Sequence, residues 1–409
     1  MSSRSVKKKV AILGGGISGL AAAHALARTF DVTLFEQKNQ VGGWVQTEDV
    51  AGHLFELGPR TIRASGSTDL MDLIDDLGLT SQLIYSSPLA KKRYIVKNGK
   101  LRAPLAIAFS HLPALLREPF VARGGGADET IQDFITRRFS SKLAREMVDP
   151  VIQGIYGGDI SKLSTKSCLS FLLNAEKEHG SILKALFLKK SGTDTRLISF
   201  KNGLGTLINA LQKSLGKRIH LSEKVLSISG KQVVTEKTSY NFDTIIVALP
   251  LEGARALLPQ IPAMQSVSLT AVNLAFASKI KHPPGFGFLV PSHEQKSLMG
   301  AIFDSDIFPQ QGSQTRITAI LRGCKYTEQE AVTATLTELK AFIQLSDTPC
   351  ATHVTFAHDA IPQYPLHHDK KMAAIKLPSH IHLLGNYLHS PSLPGCISAG
   401  TTLAKKLTP

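Results

Sequence analysis

The sequence predicts an α/β protein built on a Rossmann-like domain, and three observations near its start carry that prediction. Residues 9–13 form a short apolar run that is typical of a buried strand, and a Gly-x-Gly-x-x-Gly pattern follows directly at 14–19. An alanine-rich stretch that favours a helix leads to a second apolar run at 31–36, which ends at Glu36. This order of strand, turn, helix and strand is typical of a βαβ unit that binds a dinucleotide.

The glycines and the acid of this unit each have a chemical reason. Gly14 permits the tight turn, Gly16 lets the backbone approach a pyrophosphate, and Gly19 lets the helix pack closely on the strand. The free N–H groups at the start of the helix favour negatively charged phosphates. Glu36 lies where a carboxylate accepts hydrogen bonds from ribose hydroxyls, and its charge disfavours the 2′-phosphate of NADP.

Length and composition limit the remaining possibilities. The chain has 409 residues, of which 43% are hydrophobic and 19% charged, so we expect two or three domains and exclude both a disordered chain and a polytopic membrane protein. Four cysteines lie far apart, which argues against a disulfide framework or a zinc ribbon and favours a reducing cytoplasm. The apolar run 10–27 resembles part of a signal peptide, but its glycines interrupt it, and we expect it to belong to the fold. The net charge of +15 favours anionic partners without choosing among polyanions, anionic membranes and acidic small molecules.

Apolar periodicity predicts the other elements. Helices are predicted over 67–79, 106–117, 129–153, 170–189, 203–216, 328–345 and 396–407. Strands are predicted over 92–102 (as a hairpin), 218–229, 243–249, 286–291, 298–303, 316–322, 352–357 and 381–385. The tract at 367–369, which reads His-His-Asp, is predicted to be a loop, and His53 is predicted to be a satisfied or exposed histidine.

Two further segments bear on which dinucleotide is bound. Gly42, Gly43 and Trp44 follow Glu36, and residues 56–60 read Glu-Leu-Gly-Pro-Arg. Glycines suit contact with a flat ring because they leave room where a Cβ atom would otherwise lie. The two segments resemble those of FAD enzymes related to amine oxidases and carotenoid desaturases, so FAD is predicted.

Taken together, the chain resembles the oxygen-dependent protoporphyrinogen/coproporphyrinogen oxidases over nearly its whole length. The segments that carry this resemblance are 14–19, Glu36, 42–44, 56–60, 92–94, 154–159, 167–168, 285–291, 304–305, 308–309, 361–365 and 396–397. That family oxidises a porphyrinogen to the porphyrin with FAD and O₂ and releases hydrogen peroxide. The resemblance implies the same activity in haem biosynthesis here, with protoporphyrinogen IX as the expected substrate and coproporphyrinogen III as the open alternative.

The resemblance also implies the site residues. The residues implied to contact FAD are Gly14, Gly15, Gly16, Ile17, Ser18, Gly19, Glu36, Gln37, Gly43, Trp44, Gly58, Pro59, Arg60, Thr61, Val225, Asn386, Pro391, Ser392, Leu393 and Ile397. Arg93 is implied to pair with a substrate propionate, Phe286 and Leu289 to clamp the macrocycle, and Gly154 to face the pyrroles with its backbone. No catalytic acid or base and no metal ligand is predicted. FAD is expected to bind non-covalently, because no cysteine lies in a motif that tethers flavin.

We expect three units. The FAD-binding domain is discontinuous and comprises 1–75, 200–258 and 376–409; a β-rich substrate domain comprises 76–103 and 259–375; and 104–199 form a helical insertion. Residues 104–123 and 181–190 combine Leu, Ile and Phe with flanking Lys and Arg, which suits either a peripheral contact with the inner face of the cytoplasmic membrane or closure of the domain core. A homodimer is left open.

Two rival functions remain at this stage. One is a flavin oxidase that acts on amines. The other is a basic flavoprotein that binds nucleic acid, but it gives no reason for the segments at 285–291 and 361–364, so no nucleic-acid partner is expected.

Overall fold

The computed structural model describes residues 7–63, 67–124, 126–188, 194, 196–345, 347–388 and 390–408, and its fold is α/β as the sequence predicts. Within these residues the strands are β1 (Lys9–Leu13), β2 (Asp31–Phe35), β3 (Thr47–Val50), β4 (His53–Glu56), β5 (Ile62–Arg63), β6 (Leu83–Tyr85), β7 (Arg93–Lys97), β8 (Lys100–Arg102), β9 (Leu197–Phe200), β10 (Ile219–His220), β11 (Val225–Ser229), β12 (Gln232–Thr235), β13 (Ser239–Asn241), β14 (Thr244–Val247), β15 (Ser266–Phe276), β16 (Gly287–Leu289), β17 (Leu298–Ile302), β18 (Thr315–Arg322), β19 (Ala351–Pro362) and β20 (Ile381–Leu383). The helices are α1 (Ile17–Leu26), α2 (Thr68–Asp76), α3 (Pro104–Phe109), α4 (Leu112–Arg117), α5 (Ile131–Arg138), α6 (Ser141–Leu143), α7 (Asp149–Tyr156), α8 (Thr165–Cys168), α9 (Ser170–His179), α10 (Ile182–Leu188), α11 (Gly205–Leu215), α12 (Leu251–Leu257), α13 (Asp304–Ile307), α14 (Glu328–Leu339), α15 (His368–Ala373) and α16 (Leu393–Leu407).

A five-stranded parallel sheet in the order β10-β2-β1-β14-β20 forms the Rossmann-like part of the fold. Its central strands are almost wholly buried because structure covers both faces of the sheet. Helices α1, α11 and α16 share a core on one face, and α12 with the β11-β12-β13 sheet packs on the other. The sheet therefore joins strands from the start, the middle and the end of the sequence.

A seven-stranded sheet in the order β19-β15-β18-β17-β16-β7-β8 lies beside the first. Its neighbouring strands are antiparallel except β16 and β7, which run parallel. The apolar residues on one face of this sheet pack against α14. Two small sheets, β3-β4 and β5-β9-β6, complete the described strands.

Helices α4 to α10 contribute to a separate apolar cluster that includes Phe134, Ile152 and Tyr156. Arg138 and Glu118 are both fully buried within this part and form an ion pair. Glu118 also accepts hydrogen bonds from Ser181 and from the backbone N–H of Ile182, so it ties the segment after α4 to the start of α10.

Several predicted elements are confirmed in position, but others are shorter or divided. The helix predicted over 106–117 is two helices, with a break between α3 and α4 at Ser110 and His111 just before Pro113. The pattern at 129–153 is divided into α5, α6 and α7 with a π-helical turn at Ala144–Val148. The strand predicted over 218–229 is two strands in different sheets, because the chain turns at Ser222, whose φ is 50°.

The tract at 367–369 was predicted to be a loop, and that prediction is wrong. His368 and Asp369 begin helix α15, and His367 takes the position before it with a φ of 63°. The helix was missed because its six residues are too few to show an apolar period. The last residue of the helix predicted over 170–189 and His389 of the loop before α16 lie outside the described residues.

Candidate active site

The glycine turn after β1 is closed on one side and open on the other. Gly14 has a φ of 109°, which L side chains rarely adopt, and a Cβ on Gly19 would lie 2.1 Å from the Gly14 carbonyl oxygen. Helix α1 can therefore pack closely on the turn only because residue 19 is glycine. A Cβ on Gly16 would meet no atom within 4 Å, so the backbone at that position faces open space at the N-terminus of α1. Ile17 and Ser18, which begin the helix, are buried.

The carboxylate of Glu36 lies against this turn. Its Oε2 accepts a hydrogen bond from the Gly15 N–H at 2.8 Å, and its Oε1 accepts one from the Lys38 N–H at 2.9 Å. These two bonds hold the acid at the end of β2 beside the glycines, and each oxygen keeps a further lone pair for a hydroxyl donor. Gln37 is exposed next to it.

One later segment packs directly on the turn, and a second packs on the first. The Gly42 N–H donates to the Gly15 carbonyl at 2.7 Å, and a Cβ on Gly43 would lie 3.3 Å from the Gly16 Cα. A Cβ on Gly58 would lie 1.9 Å from the Trp44 carbonyl oxygen, so a residue larger than glycine cannot occupy position 58. The structure thus brings together the three glycine-containing segments that the sequence assigns to the cofactor, although the Trp44 side chain itself is 41% exposed.

The segment after Gly58 enters a buried polar cluster. Arg60 Nη1 lies 3.7 Å from Asp304 Oδ1, while Arg60 Nη2 is buried with no hydrogen-bond partner among the described residues. Asp304 also accepts from the Thr318 hydroxyl at 2.7 Å. Pro59 and Thr61, on either side of Arg60, are half-buried. This cluster connects the predicted cofactor segment to the seven-stranded sheet.

Glu56 lies at the edge of the same cluster. It accepts from the Thr47 hydroxyl at 2.6 Å and from the Leu204 N–H at 2.7 Å. Burial raises the pKa of Glu56 to about 7, although these hydrogen bonds act in the opposite direction. The carboxyl therefore joins the β3-β4 hairpin to the start of α11, and its protonation changes near neutral pH.

The remaining predicted cofactor residues lie at the far ends of β2 and β20. The Glu223 N–H donates to the Glu36 carbonyl at 3.0 Å, which brings the start of β11 at Val225 close to the acid. The Asn386 carbonyl accepts from the Tyr364 hydroxyl, and the Asn386 side chain donates to the Ala360 carbonyl at 3.3 Å.

Helix α16 begins at this loop and packs along α1. The Ser392 hydroxyl accepts from the Gly395 N–H at 3.1 Å and caps the helix, with half-buried Pro391 immediately before it. Leu393 and Ile397 are buried in the core that α16 shares with α1. The structure gives these two side chains a packing role, and the cofactor contacts implied for them stay a prediction.

The four residues implied for the substrate meet along strand β16. The guanidinium carbon of Arg93 lies 4.9 Å from the centroid of the Phe286 ring, and Arg93 is the register partner of Gly287. At the other end of the strand, a Cβ on Gly154 would lie 2.8 Å from Leu289 Cδ2. The structure therefore places the Arg93 cation beside the Phe286 ring at one end of β16, and the Leu289 side chain against the backbone of Gly154 at the other end.

Some candidate functional residues come together only in the fold and were not predicted from the sequence. Arg316 donates to the Leu54 carbonyl at 3.1 Å, and Asn273 is fully buried opposite Thr318. The one available signal was the alternation of Arg316 and Thr318 with the apolar Ile317 and Ala319 in β18. Asn273 is out of phase with the polar residues before it in β15 and gave no signal. A second set, the cations Arg63 and Lys91 beside Arg93, gave no signal in the sequence.

Histidine and cysteine side chains add no metal centre in the part of the chain that the structure describes, where no group of three or more His, Cys, Asp or Glu could hold an ion. His53 is buried, with Nε2 3.5 Å from Cys350 Sγ. All four cysteines have free thiols.

The residues present fit a flavin nucleotide. The open backbone at Gly16 beside a helix N-terminus suits a pyrophosphate, and the fixed carboxylate of Glu36 suits ribose hydroxyls. The buried Nη2 of Arg60 has no acceptor in the described part of the chain.

Comparison with known proteins agrees with this geometry. Residues 17–408 match the family described as flavin containing amine oxidoreductase. The chain is 31% identical to the protoporphyrinogen oxidase of Bos taurus over 98% of each chain and 26% identical to the coproporphyrinogen III oxidase of Bacillus subtilis over 96% of each. The crystal structure of a proposed protoporphyrinogen oxidase from Exiguobacterium sp. 255-15 has the same fold, with a TM-score of 0.88 at 22% identity over 100% of this chain and 99% of that one.

The chain therefore belongs to the flavin-containing amine oxidoreductase family and is a flavin-dependent oxidoreductase. Within that family it is related to protoporphyrinogen and coproporphyrinogen oxidases.

Proposed function

We propose that the protein oxidises protoporphyrinogen IX to protoporphyrin IX in haem biosynthesis, with non-covalently bound FAD and with O₂ as the electron acceptor. The observation that carries the proposal is the convergence of Arg93, Phe286, Leu289 and Gly154 on β16 beside the predicted flavin segments. Few residues separate the proposed substrate residues from the predicted flavin segments. The Phe303 N–H donates to the Phe286 carbonyl at 2.9 Å, and the next residue, Asp304, pairs with Arg60.

The chemistry fits what these side chains can do. The reaction removes six hydrogen atoms from the macrocycle and reduces three O₂ molecules to hydrogen peroxide. Bound FAD supplies the acceptor for the electrons, which the side chains of the protein cannot supply. The protein has to hold a flat, acidic macrocycle in one orientation, and an arginine with apolar neighbours serves that purpose without a catalytic acid or base.

Non-covalent binding of FAD is supported by the positions of the cysteines. Cys396 is buried in α16, and burial raises the pKa of its thiol, so it is poorly suited to form a bond to flavin. We expect acid precipitation to release all the flavin into the supernatant. Flavin that remained on the polypeptide would favour the amine-oxidising alternative instead.

A direct assay tests the function. The purified, flavin-loaded protein is offered protoporphyrinogen IX and coproporphyrinogen III in air, and the appearance of porphyrin fluorescence is followed against a protein-free control for autoxidation. We expect protoporphyrinogen IX to be oxidised. Coproporphyrinogen III is the second candidate, because the relative from Bacillus subtilis is a coproporphyrinogen III oxidase. If neither substrate is oxidised, the proposal is contradicted.

The division into three units belongs to the same proposal. The parallel sheet draws its strands from the ranges expected for FAD binding, and the seven-stranded sheet draws its strands from 93–102 and 266–362. Limited proteolysis tests it: cleavage is expected between the units first, and protection of the flavin-binding fragments by added FAD supports their assignment.

We further propose a peripheral membrane contact at the helical insertion, on the cytoplasmic side. Helices α3, α4 and α10 and the segment after α4 expose large apolar side chains, among which Phe120 and Phe187 are each 88% exposed. Glu118, which pairs with Arg138, ties the segment after α4 to the start of α10. In the described residues no helix is long and apolar enough to cross a bilayer.

Vesicle flotation tests the membrane contact. The protein is expected to float with anionic vesicles at low salt and to be released in part as the salt concentration rises, because both apolar burial and basic side chains contribute. The absence of binding at low salt contradicts this proposal. A homodimer is tested separately by light scattering.

A further inference from the structure

A polar pocket lies between the β5-β9-β6 sheet and the start of β7. Its lining includes Arg63 on β5, Lys91 and Arg93 at the start of β7, and Arg196 just before β9. The pocket encloses about 300 Å³, which is at the lower end of the range for small-molecule sites, so it suits one part of a larger ligand.

The pocket holds more positive charge than its neighbours balance. Asp194 pairs with Arg196, with Oδ2 2.8 Å from Nη2. Arg63, Lys91 and Arg93 form no ion pair within the described part of the chain. Arg63 and Arg93 line the same pocket, and burial, followed by the nearby charge of Arg63, lowers the pKa of Arg93, as expected for two neighbouring cations. An anion placed between them would remove their mutual repulsion.

The pocket adjoins both parts of the active site. Arg93 stacks on Phe286, which belongs to the proposed clamp on the macrocycle. Arg63 follows Thr61 by two residues of extended chain, so their Cα atoms are roughly 7 Å apart. These cations, which form no ion pair among the described residues, therefore adjoin both the proposed clamp on the macrocycle and the segment predicted to contact flavin.

We infer that Arg63, Lys91 and Arg93 form one carboxylate-binding subsite, which receives two neighbouring propionates of a single porphyrinogen. This inference rests on the proposed function and extends it from one arginine–propionate pair to a paired subsite. In protoporphyrinogen IX the two propionates are carried by adjacent pyrrole rings, so both leave the macrocycle at one edge. Guanidinium groups bind carboxylates through two parallel hydrogen bonds, which suits this arrangement better than a single point charge does.

A second anchor has a consequence for orientation. With one propionate fixed, the macrocycle can rotate in its own plane about that anchor. With two propionates fixed, the in-plane rotation is set, and the same carbon of the ring faces the flavin each time the substrate binds. Orientation of this kind makes a large contribution to catalysis.

The experiment measures binding of a stable porphyrin to the flavin-loaded protein. Protoporphyrin IX and its dimethyl ester, which carries no charge at that edge, are titrated in the same detergent, and the change in porphyrin absorbance gives the affinity. The variants are Arg63→Ala, Lys91→Ala and Arg93→Ala. Lys92→Ala is the matched control, because Lys92 is an exposed neighbour that does not line the pocket and its removal changes the net charge equally.

We expect Arg63→Ala and Arg93→Ala each to weaken binding of the diacid by about tenfold or more, and Lys91→Ala to weaken it by a smaller factor. Lys92→Ala should bind like the unchanged protein, and no variant should alter binding of the dimethyl ester. An unaltered flavin absorbance spectrum in each variant shows that the fold and the cofactor site are intact.

Two kinds of failure can be told apart. If the unchanged protein oxidises protoporphyrinogen IX but Arg63→Ala and Lys91→Ala both bind the diacid normally, the paired subsite is refuted while the proposed function stands. If the unchanged protein neither binds the diacid nor forms porphyrin, the proposed function itself fails. Equal weakening by Lys92→Ala also refutes the subsite, since it would indicate a general effect of net charge.

Discussion

Replacing Glu56 with glutamine should change how the stability of the protein depends on pH. Glu56 is buried, and folding raises its pKa from 4.5 to about 7. This difference corresponds to about 3 kcal/mol between the protonated and ionised forms. Because the pKa of Glu56 is raised in the folded state, the contribution of its carboxyl to the free energy of unfolding is fully present below pH 4.5 and is lost as the pH rises through about 7.

Glutamine cannot ionise, but its carbonyl can still accept the hydrogen bond from the Leu204 N–H. The difference in the free energy of unfolding, unchanged protein minus Glu56→Gln, should therefore fall by roughly 2–3 kcal/mol between pH 5 and pH 8. Urea unfolding of the FAD-saturated protein, followed by circular dichroism at unit intervals of pH, measures this difference.

Glu330→Gln provides the control. Glu330 caps α14, and hydrogen bonds from the backbone and side chain of Thr327 lower its pKa, so it stays ionised across the same interval. Its replacement should cost stability by the same amount at every pH. A flat difference for Glu56→Gln would show that the carboxyl is solvated or compensated, and it would refute the reasoning from burial.

The other predictions concern the cofactor turn, the helical insertion and its exposed side chains. Gly16→Ala should fold, because its Cβ would meet no protein atom within 4 Å, but it should lose FAD on gel filtration, because that Cβ would occupy the open space assigned to the cofactor. Gly19→Ala should also destabilise the fold, because its Cβ would lie 2.1 Å from the Gly14 carbonyl oxygen. Normal flavin retention by Gly16→Ala would contradict the assignment. Arg138→Ala should lower the free energy of unfolding by about 3–5 kcal/mol, since it leaves Glu118 buried and unpaired; a loss below about 1 kcal/mol, as for an exposed pair, would count against it. Phe120→Asp should reduce flotation with anionic vesicles while leaving porphyrinogen oxidation in detergent unchanged; full flotation would argue that Phe120 does not touch the membrane.

The parts of the fold that the sequence predicts well are those set by neighbouring residues. The strand, glycine turn, helix and strand at 9–36 follow from local pattern alone, and the close packing of Gly19 on Gly14 is the packing that the spacing predicts. By contrast, β15 was not predicted. It is flanked by strands on both sides, and its polar residues Thr270 and Asn273 are wholly buried. Polar and apolar residues alternate only over 266–270, and Asn273 breaks that pattern, so the strand shows neither sustained alternation nor a uniform apolar run.

The candidate site likewise has some parts that neighbouring residues predict and others that depend on distant residues. The segments that line the glycine turn could be proposed for the cofactor because each carries its own motif. Arg63, Lys91 and Arg196 could not be found in that way, since they come from three separate parts of the chain and share a pocket only after β5, β9 and the start of β7 assemble. The raised pKa of Glu56 likewise depends on burial beneath distant residues, which no short sequence window contains.

The arrangement of the parallel sheet determines when the flavin site can form during synthesis. Strand β1 pairs with β14, and Lys9 is hydrogen-bonded to Asp243, a residue 234 positions later; α1 then packs on α16 near residue 400. A nascent chain that has just emerged from the ribosome with its glycine turn complete still lacks both of these partners. Flavin capture is therefore expected only after the chain has been synthesised to about residue 400, and pairing over so long a separation makes folding slow.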